Sequence, residues 1–215
     1  MTISAVCFDL DDTLFDYHEY ARHGLRSAAK VIESATGHCF RDELITLYFE
    51  DGKTEGTFDQ LIETYDLPTH LVSEAVSAFH EASDPLTPFP DAELTLSELS
   101  NAYRIGLITD GRGGFAKLHR LGIRGYFDAV LVTPIVNSSK RDRLVFEWVL
   151  AEMDVAPDQT TYVGDDPRVD FRVPNQLGMT TVRLRRGRYA ELEPADELSK
   201  PDYEITTLTD LFGVI

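Results

Sequence analysis

An apolar run over residues 3–8 opens the chain and stops at three carboxylates within four residues, Asp9, Asp11 and Asp12. A short apolar run bounded by polar residues reads as a buried strand. From residue 15 to about 85 the apolar positions recur at three and four. Ala21, Leu25, Ala28, Ala29 and Ile32 predict a helix over 15–34, with Gly37 as its stop. Shorter helices are predicted over 41–49, 57–65 and 69–80, and no strand pattern appears among them. The segment Pro85-Leu86-Thr87-Pro88-Phe89-Pro90 then breaks the periodicity, since proline removes donors and disfavours helix before itself.

Beyond the prolines the pattern alternates. Strands are predicted over 103–108, 129–132, 160–163, 180–184 and 203–205, with helices over 91–100, 114–121 and 143–153 and a short helical stretch after 166. Strands alternating with helices give βαβ units and a parallel sheet covered on both faces, an α/β fold of three αβα layers. The helical block, residues 15–87, interrupts it after one strand, so the expected core is 1–14 with 88–215. Right-handed crossovers put every strand's carboxyl end on one edge, and Asp9, Thr109 and Asp165 should converge there.

Composition narrows the class. With 215 residues, 43% hydrophobic and 10% aromatic, the chain can bury a real core. Its 37 acidic against 20 basic residues give a formal net charge of −17, a field that repels nucleic-acid backbones and anionic membranes. No apolar run approaches the roughly 20 residues of a membrane span. The N-terminus lacks the pattern of a secretory signal, and the two cysteines form no CxxC pair. A cytoplasmic protein without disulfides is expected, with no nucleic-acid or membrane partner.

Charges at the end of a buried strand must keep hydrogen bonds, a cation or water. The plain alternative for Asp9, Asp11 and Asp12 is a turn whose carboxylates cap the next helix. The wider set argues for more. Carboxylates from two strands, Asp9/Asp11 and Asp165 with Asp170, suit an oxygen-rich Mg²⁺ site. Thr109, Lys140 and the backbone N–H groups of glycine-containing turns suit a phosphoryl group. Phosphoryl transfer needs positioning, charge neutralisation and an in-line nucleophile, which a carboxylate can be.

The chain resembles the haloacid dehalogenase-like (HAD) superfamily over essentially its whole length. Phe8-Asp9-Leu10-Asp11-Asp12-Thr13-Leu14 is similar to the first motif, DxDx[T/V], and Leu107-Ile108-Thr109-Asp110-Gly111 to the second. Lys140, with Phe146 six residues on, matches the third, and Gly164-Asp165-Asp166-Pro167-Arg168-Val169-Asp170 the fourth, GDxxxxD. The family often has Lys-Pro at the third motif; here Arg141 follows Lys140.

The resemblance implies a Rossmann-like core with an inserted helical cap, and a Mg²⁺-dependent phosphatase acting on a small phosphomonoester through an aspartyl-phosphate. Asp9 is then the nucleophile, and Asp11 the acid and base. The metal would be held by Asp9, Asp165 and the Asp11 carbonyl. Thr109 and Lys140, with Asp110 and Gly111, would bind substrate. Asp170 would orient Lys140 or metal-bound water, Asp166 sharing that role, and Thr13 would order the loop after Asp11. Alternatives are a metal-independent 2-haloacid dehalogenase, against which Asp11 argues, a phosphomutase, and a catalytically silent binding protein.

Other features attract blander readings. Lys117 is a conceivable substitute for Lys140, but it lies within a predicted helix and reads as a solvated surface lysine. Arg183, Arg185, Arg186 and Arg188 read as a charge-balanced exposed edge in preference to an anion-binding cluster, and the Leu144/Trp148 stripe as core. Cys7 reads as a small buried hydrophobe. The six histidines show no paired metal spacing; His18 and Tyr17 stand out only because they follow the first motif.

Overall fold

The computed structural model describes residues 2–215. The chain divides into two compact units, one of residues up to 17 with 86–215, the other His18–Pro85.

The larger unit is built on a six-stranded sheet of β1 (Ala5–Phe8), β2 (Arg104–Thr109), β3 (Ala129–Val132), β4 (Thr160–Gly164), β5 (Thr180–Leu184) and β6 (Tyr203–Ile205). Every pairing is parallel, in the order β3-β2-β1-β4-β5-β6. The order runs outward from β1 in one direction through β2 and β3, then resumes on its other side at β4. That reversal opens a crevice at the carboxyl ends of β1 and β4, the usual ligand position in open α/β sheets. Phe8 pairs in register with Leu107 and Val163, so the residues that follow all three strands share one rim.

Helices α5 (Ala92–Leu99), α6 (Gly114–Leu121), α7 (Arg143–Met153) and α8 (Arg172–Leu177) connect the strands. Helix α7 packs on β2 and β3 through Val145, Phe146, Val149, Leu150 and Met153. Leu144 and Trp148, expected in the core, are instead 67% and 46% exposed. The inward stripe is rotated by one residue, and α7 lies over the last strand at that edge, so its outer flank faces solvent. Cys7 is buried as expected, and burial pushes its thiol up to about 12.

Arg183 departs further from its reading as an exposed edge. It is wholly buried in β5, donating to the carbonyls of Tyr189 (2.8 Å) and Ala190 (3.4 Å) and to Glu204 (3.2 Å). A buried guanidinium needs its donors matched, and the loop after β5 folds back to meet its terminal nitrogens, leaving Nε without a partner among the described residues.

The second unit is helical. Helix α1 (Tyr17–Thr36) buries Tyr20, Ala21, Gly24, Leu25, Ala28, Ala29 and Ile32 along one stripe, and α3 (Thr57–Thr64) and α4 (His70–His80) follow the predicted spans closely. The helix predicted over 41–49 is interrupted: α2 (Arg41–Ile45) passes into a π-helical turn, Thr46–Glu50. In that wider turn Tyr48 is buried while Phe49 meets the His18 ring edge-on at 5.3 Å and the Arg22 guanidinium at 4.7 Å. Among the described residues no helix is long and apolar enough to cross a membrane.

Candidate active site

Strand β1 delivers Asp9 to the rim, its amide donating to the Val163 carbonyl of β4 at 2.8 Å. Asp9 is 5% exposed. The chain then turns sharply, with Asp12 at φ 62°, a conformation that Asp tolerates better than most residues. Asp12 caps the next helix as the plain alternative expected, accepting from the Tyr17 amide at 3.1 Å. Asp9 and Asp11 do not share that duty.

Oδ1 of Asp9 receives the Lys140 ammonium, which also donates to Oδ1 of Asp170 at 2.7 Å. Thr13 donates to Oδ2 of Asp9 (3.3 Å) and Oδ1 of Asp165 (3.5 Å), bridging two strand-end carboxylates. Asp170 is wholly committed. Oδ1 also accepts from the Tyr162 hydroxyl (3.2 Å) and Oδ2 from the Asp166 amide (2.9 Å). Asp166 itself faces Arg168, which donates to both its oxygens.

Electrostatics follow from burial. Burial pushes the Asp9 carboxyl up to about 7, against the attraction of Lys140 and with repulsion from Asp170 and Asp11. Burial likewise raises Asp165, reinforced by Asp9, Asp170 and Asp12. For Lys140 burial opposes the charge, but Asp170 and Asp9 outweigh it and hold the ammonium above the usual lysine range.

A divalent cation fits this donor set. Ligand oxygens of Asp9, Asp165 and Asp170 lie within 4.8 Å of one another, with one lysine among them. Oδ2 of Asp165 is buried and accepts no hydrogen bond among the described residues, a costly state that a cation would relieve. Asp170 already has its donors, so the ion's place lies with Asp9 and Asp165.

On the other flank, Thr109 ends β2 wholly buried, its hydroxyl oxygen accepting from the Gly111 amide at 3.0 Å, so its proton is free to point elsewhere. Asp110, expected to contact substrate, lines the cleft and also braces it. Its Oδ1 accepts from the Thr133 hydroxyl at 2.6 Å and the Lys140 amide at 2.9 Å, tying the β2 turn to the lysine's loop. Asp9, Asp11, Thr109, Asp110, Gly111, Lys140, Asp165, Asp166 and Asp170 all line one cleft of about 120 Å³. Arg188 and Tyr189 close one wall, and Arg188 pairs with Asp12.

Lys117 overturns its reading as a solvated surface residue. It is 1% exposed, and its ammonium donates to both oxygens of Asp11, at 2.7 and 2.8 Å. The signal lay in helix phase: Gly114, Lys117, Leu118 and Leu121 fall at i, i+3, i+4 and i+7, and all four are buried. Arg188, expected on an exposed edge, lines the cleft, and Tyr189, Thr133 and Tyr162, which have no motif of their own, join the site.

A strand-end carboxylate pair, a hydroxyl, a lysine and an acidic loop, set at the switch point of a parallel sheet, define a haloacid dehalogenase-like hydrolase. The family model of that description matches residues 3–178, and the chain belongs to the family. It is 33% identical to a glyceraldehyde 3-phosphate phosphatase of Methanopyrus kandleri, covering 99% of this chain and 97% of that one. It is 31% identical, over the same shares, to the glyceraldehyde 3-phosphate phosphatase of Methanocaldococcus jannaschii. Among solved structures, the HAD-hydrolase YfnB of Bacillus subtilis, bound to magnesium, superposes with a TM-score of 0.74 at 18% identity, covering 100% of this chain and 99% of that one.

Proposed function

We propose that this protein is a Mg²⁺-dependent phosphatase that hydrolyses a small phosphorylated metabolite through an aspartyl-phosphate. The observation that carries the reading is the buried Asp9 carboxylate, gripped at Oδ1 by Lys140 and set beside the unpaired Oδ2 of Asp165. Relatives called glyceraldehyde 3-phosphate phosphatases, at 31–33% identity over nearly the whole chain, support it and favour a short phosphorylated sugar or aldehyde.

In the first step a carboxylate oxygen of Asp9 attacks phosphorus, the bond to the leaving oxygen breaks, and Asp11 gives that oxygen its proton. Asp11 then takes a proton from water as its oxygen attacks the phosphoryl group; the bond to Asp9 breaks and phosphate leaves. Thr109 and Lys140 would hold the transferring oxygens, with the Gly111 amide available as a further donor. A divalent cation held by Asp9, Asp165 and the Asp11 carbonyl would supply positive charge against the phosphoryl group. Asp170 keeps the Lys140 ammonium aimed at Asp9, Asp166 supports Asp170 through its amide, and Asp110 braces the Lys140 loop.

The test is release of inorganic phosphate from glyceraldehyde 3-phosphate and a panel of other phosphomonoesters, with and without MgCl₂. Turnover that needs the metal and is lost in Asp9→Asn supports the reading. Chloride release from a 2-chloro acid without metal would replace it by the dehalogenase.

A further inference from the structure

Among the described residues, Lys117 is a buried cation near the cleft that the proposed chemistry leaves without work. It rises from α6 beneath the rings of Phe15 and Tyr17, 6.0 and 5.3 Å from their centroids, and meets Asp11 with both carboxylate oxygens. The neighbouring backbone is shaped around the contact: a Cβ on Gly111 would lie 2.3 Å from Oδ2 of Asp11 and 2.9 Å from the Lys117 ammonium. A side chain on the β2 turn would therefore have to displace the pair. Ordering a buried lysine costs desolvation and side-chain entropy.

We infer that Lys117 is a positioning residue, holding the Asp11 carboxyl group by two points beside the Asp9 nucleophile, where the leaving oxygen departs. The inference rests on the proposed role of Asp11 and deepens it. A carboxyl group held at both oxygens cannot rotate about its Cβ–Cγ bond or swing toward solvent, and proton transfer is steep in donor geometry. One of the two contacts yields when the proton moves; the other keeps the group in register. Because the proton matters only when the departing oxygen is strongly basic, dependence on Lys117 should follow the leaving group.

The experiment measures kcat/KM, which reports formation of the phospho-enzyme, for Lys117→Met, Lys117→Arg, Asp11→Asn and the Asp11→Asn/Lys117→Met double variant. Glycerol 3-phosphate supplies a basic alkoxide leaving group and 4-nitrophenyl phosphate a weakly basic one. Lys117→Met should lose about 10²-fold on glycerol 3-phosphate and much less on the aryl ester, with Lys117→Arg recovering part of the loss. In the Asp11→Asn background the lysine change should add little, since both act through one group. Equal losses on both esters, or additive losses in the double variant, would overturn the inference while leaving the phosphatase reading intact. Wild-type rates for Asp11→Asn on glycerol 3-phosphate would instead remove the role of Asp11 itself. Should Lys117→Met fail to fold, Lys117→Gln, which keeps a donor but loses the charged two-point grip, decides. A loss on the alkyl ester well beyond that on the aryl ester supports the two-point grip, and wild-type rates on both esters overturn it.

Discussion

The ammonium of Lys140 sits between Asp9 and Asp170, two carboxylates from different parts of the sheet edge, and all three groups are buried. One cation cannot neutralise Asp9, Asp165 and Asp170 together, so the cluster retains a surplus of negative charge that a divalent ion is suited to balance.

Removing that lysine leaves two buried carboxylates facing each other. Lys140→Ala should destabilise the metal-free protein by about 3–5 kcal/mol, the usual cost of breaking a buried pair on one side. It should also raise KM and lower kcat. Denaturant melts with and without MgCl₂ check the first part: the metal should recover a share of the loss, and a metal-free melt unchanged from wild type would contradict the ion-pair argument.

The two carboxylates of the first motif separate cleanly. Asp9→Asn should abolish phosphate release while circular dichroism stays native. Asp11→Asn should cut turnover of alkyl phosphates by about 10²–10⁴-fold, as expected when a general acid and base is lost. Steady-state assays on one phosphomonoester suffice to tell the two variants apart.

A pH dependence follows from the raised Asp9 carboxyl. Its folded value of about 7 lies above its ordinary 3.8, so the folded protein binds the extra proton and gains stability from it at low pH. That stability is lost as pH rises from about 4 through about 7, and the raised Asp165 acts in the same direction. A cation bound by these oxygens must displace the protons. The rise in melting temperature on adding MgCl₂ should therefore be larger at about pH 8 than at about pH 5.5. A metal-induced shift that is constant across this range would show that Asp9 and Asp165 are not the ligands.

Asp110 offers a test away from the reacting atoms. Asp110→Ala unties Thr133 and the Lys140 amide at once, which should cost about 1–3 kcal/mol for buried donors left unmatched. Because the Lys140 loop is then free to drift, kcat should fall with stability. Asp110→Asn, which keeps an acceptor oxygen, should recover most of both, as thermal melts and initial rates will show.

Much of this site was legible because its main parts sit at strand ends. The period of two residues in strands and 3.6 in helices is local, and the right hand of βαβ crossovers then puts Asp9, Thr109 and Asp165 on one rim without knowledge of any contact. Lys140 was legible by its place among the motifs, since it lies on no strand end. What escaped were residues whose role depends on helix phase or on a loop's path. Leu144 and Trp148 shared a stripe with true core residues, but α7 covers the edge strand and leaves them outside. Arg183 looked like one arginine of a solvated cluster, yet β5 turned it inward against the carbonyls that follow.

The pairing of charges belongs to the tertiary structure. Nothing in the order of residues says that Lys117 meets Asp11 across 106 positions while Lys140 meets Asp9 across 131. Those partners are chosen by where the β3-β2-β1-β4-β5-β6 order places each loop and by which way α6 turns its inner face. The amino-acid sequence by itself determined the alternation of strands and helices, the chain positions of the reactive groups and the surplus of acid among them. Folding alone decided which cation answers which carboxylate, because attraction between charges depends on distance in space and their solvation on burial, and neither quantity exists along an unfolded chain.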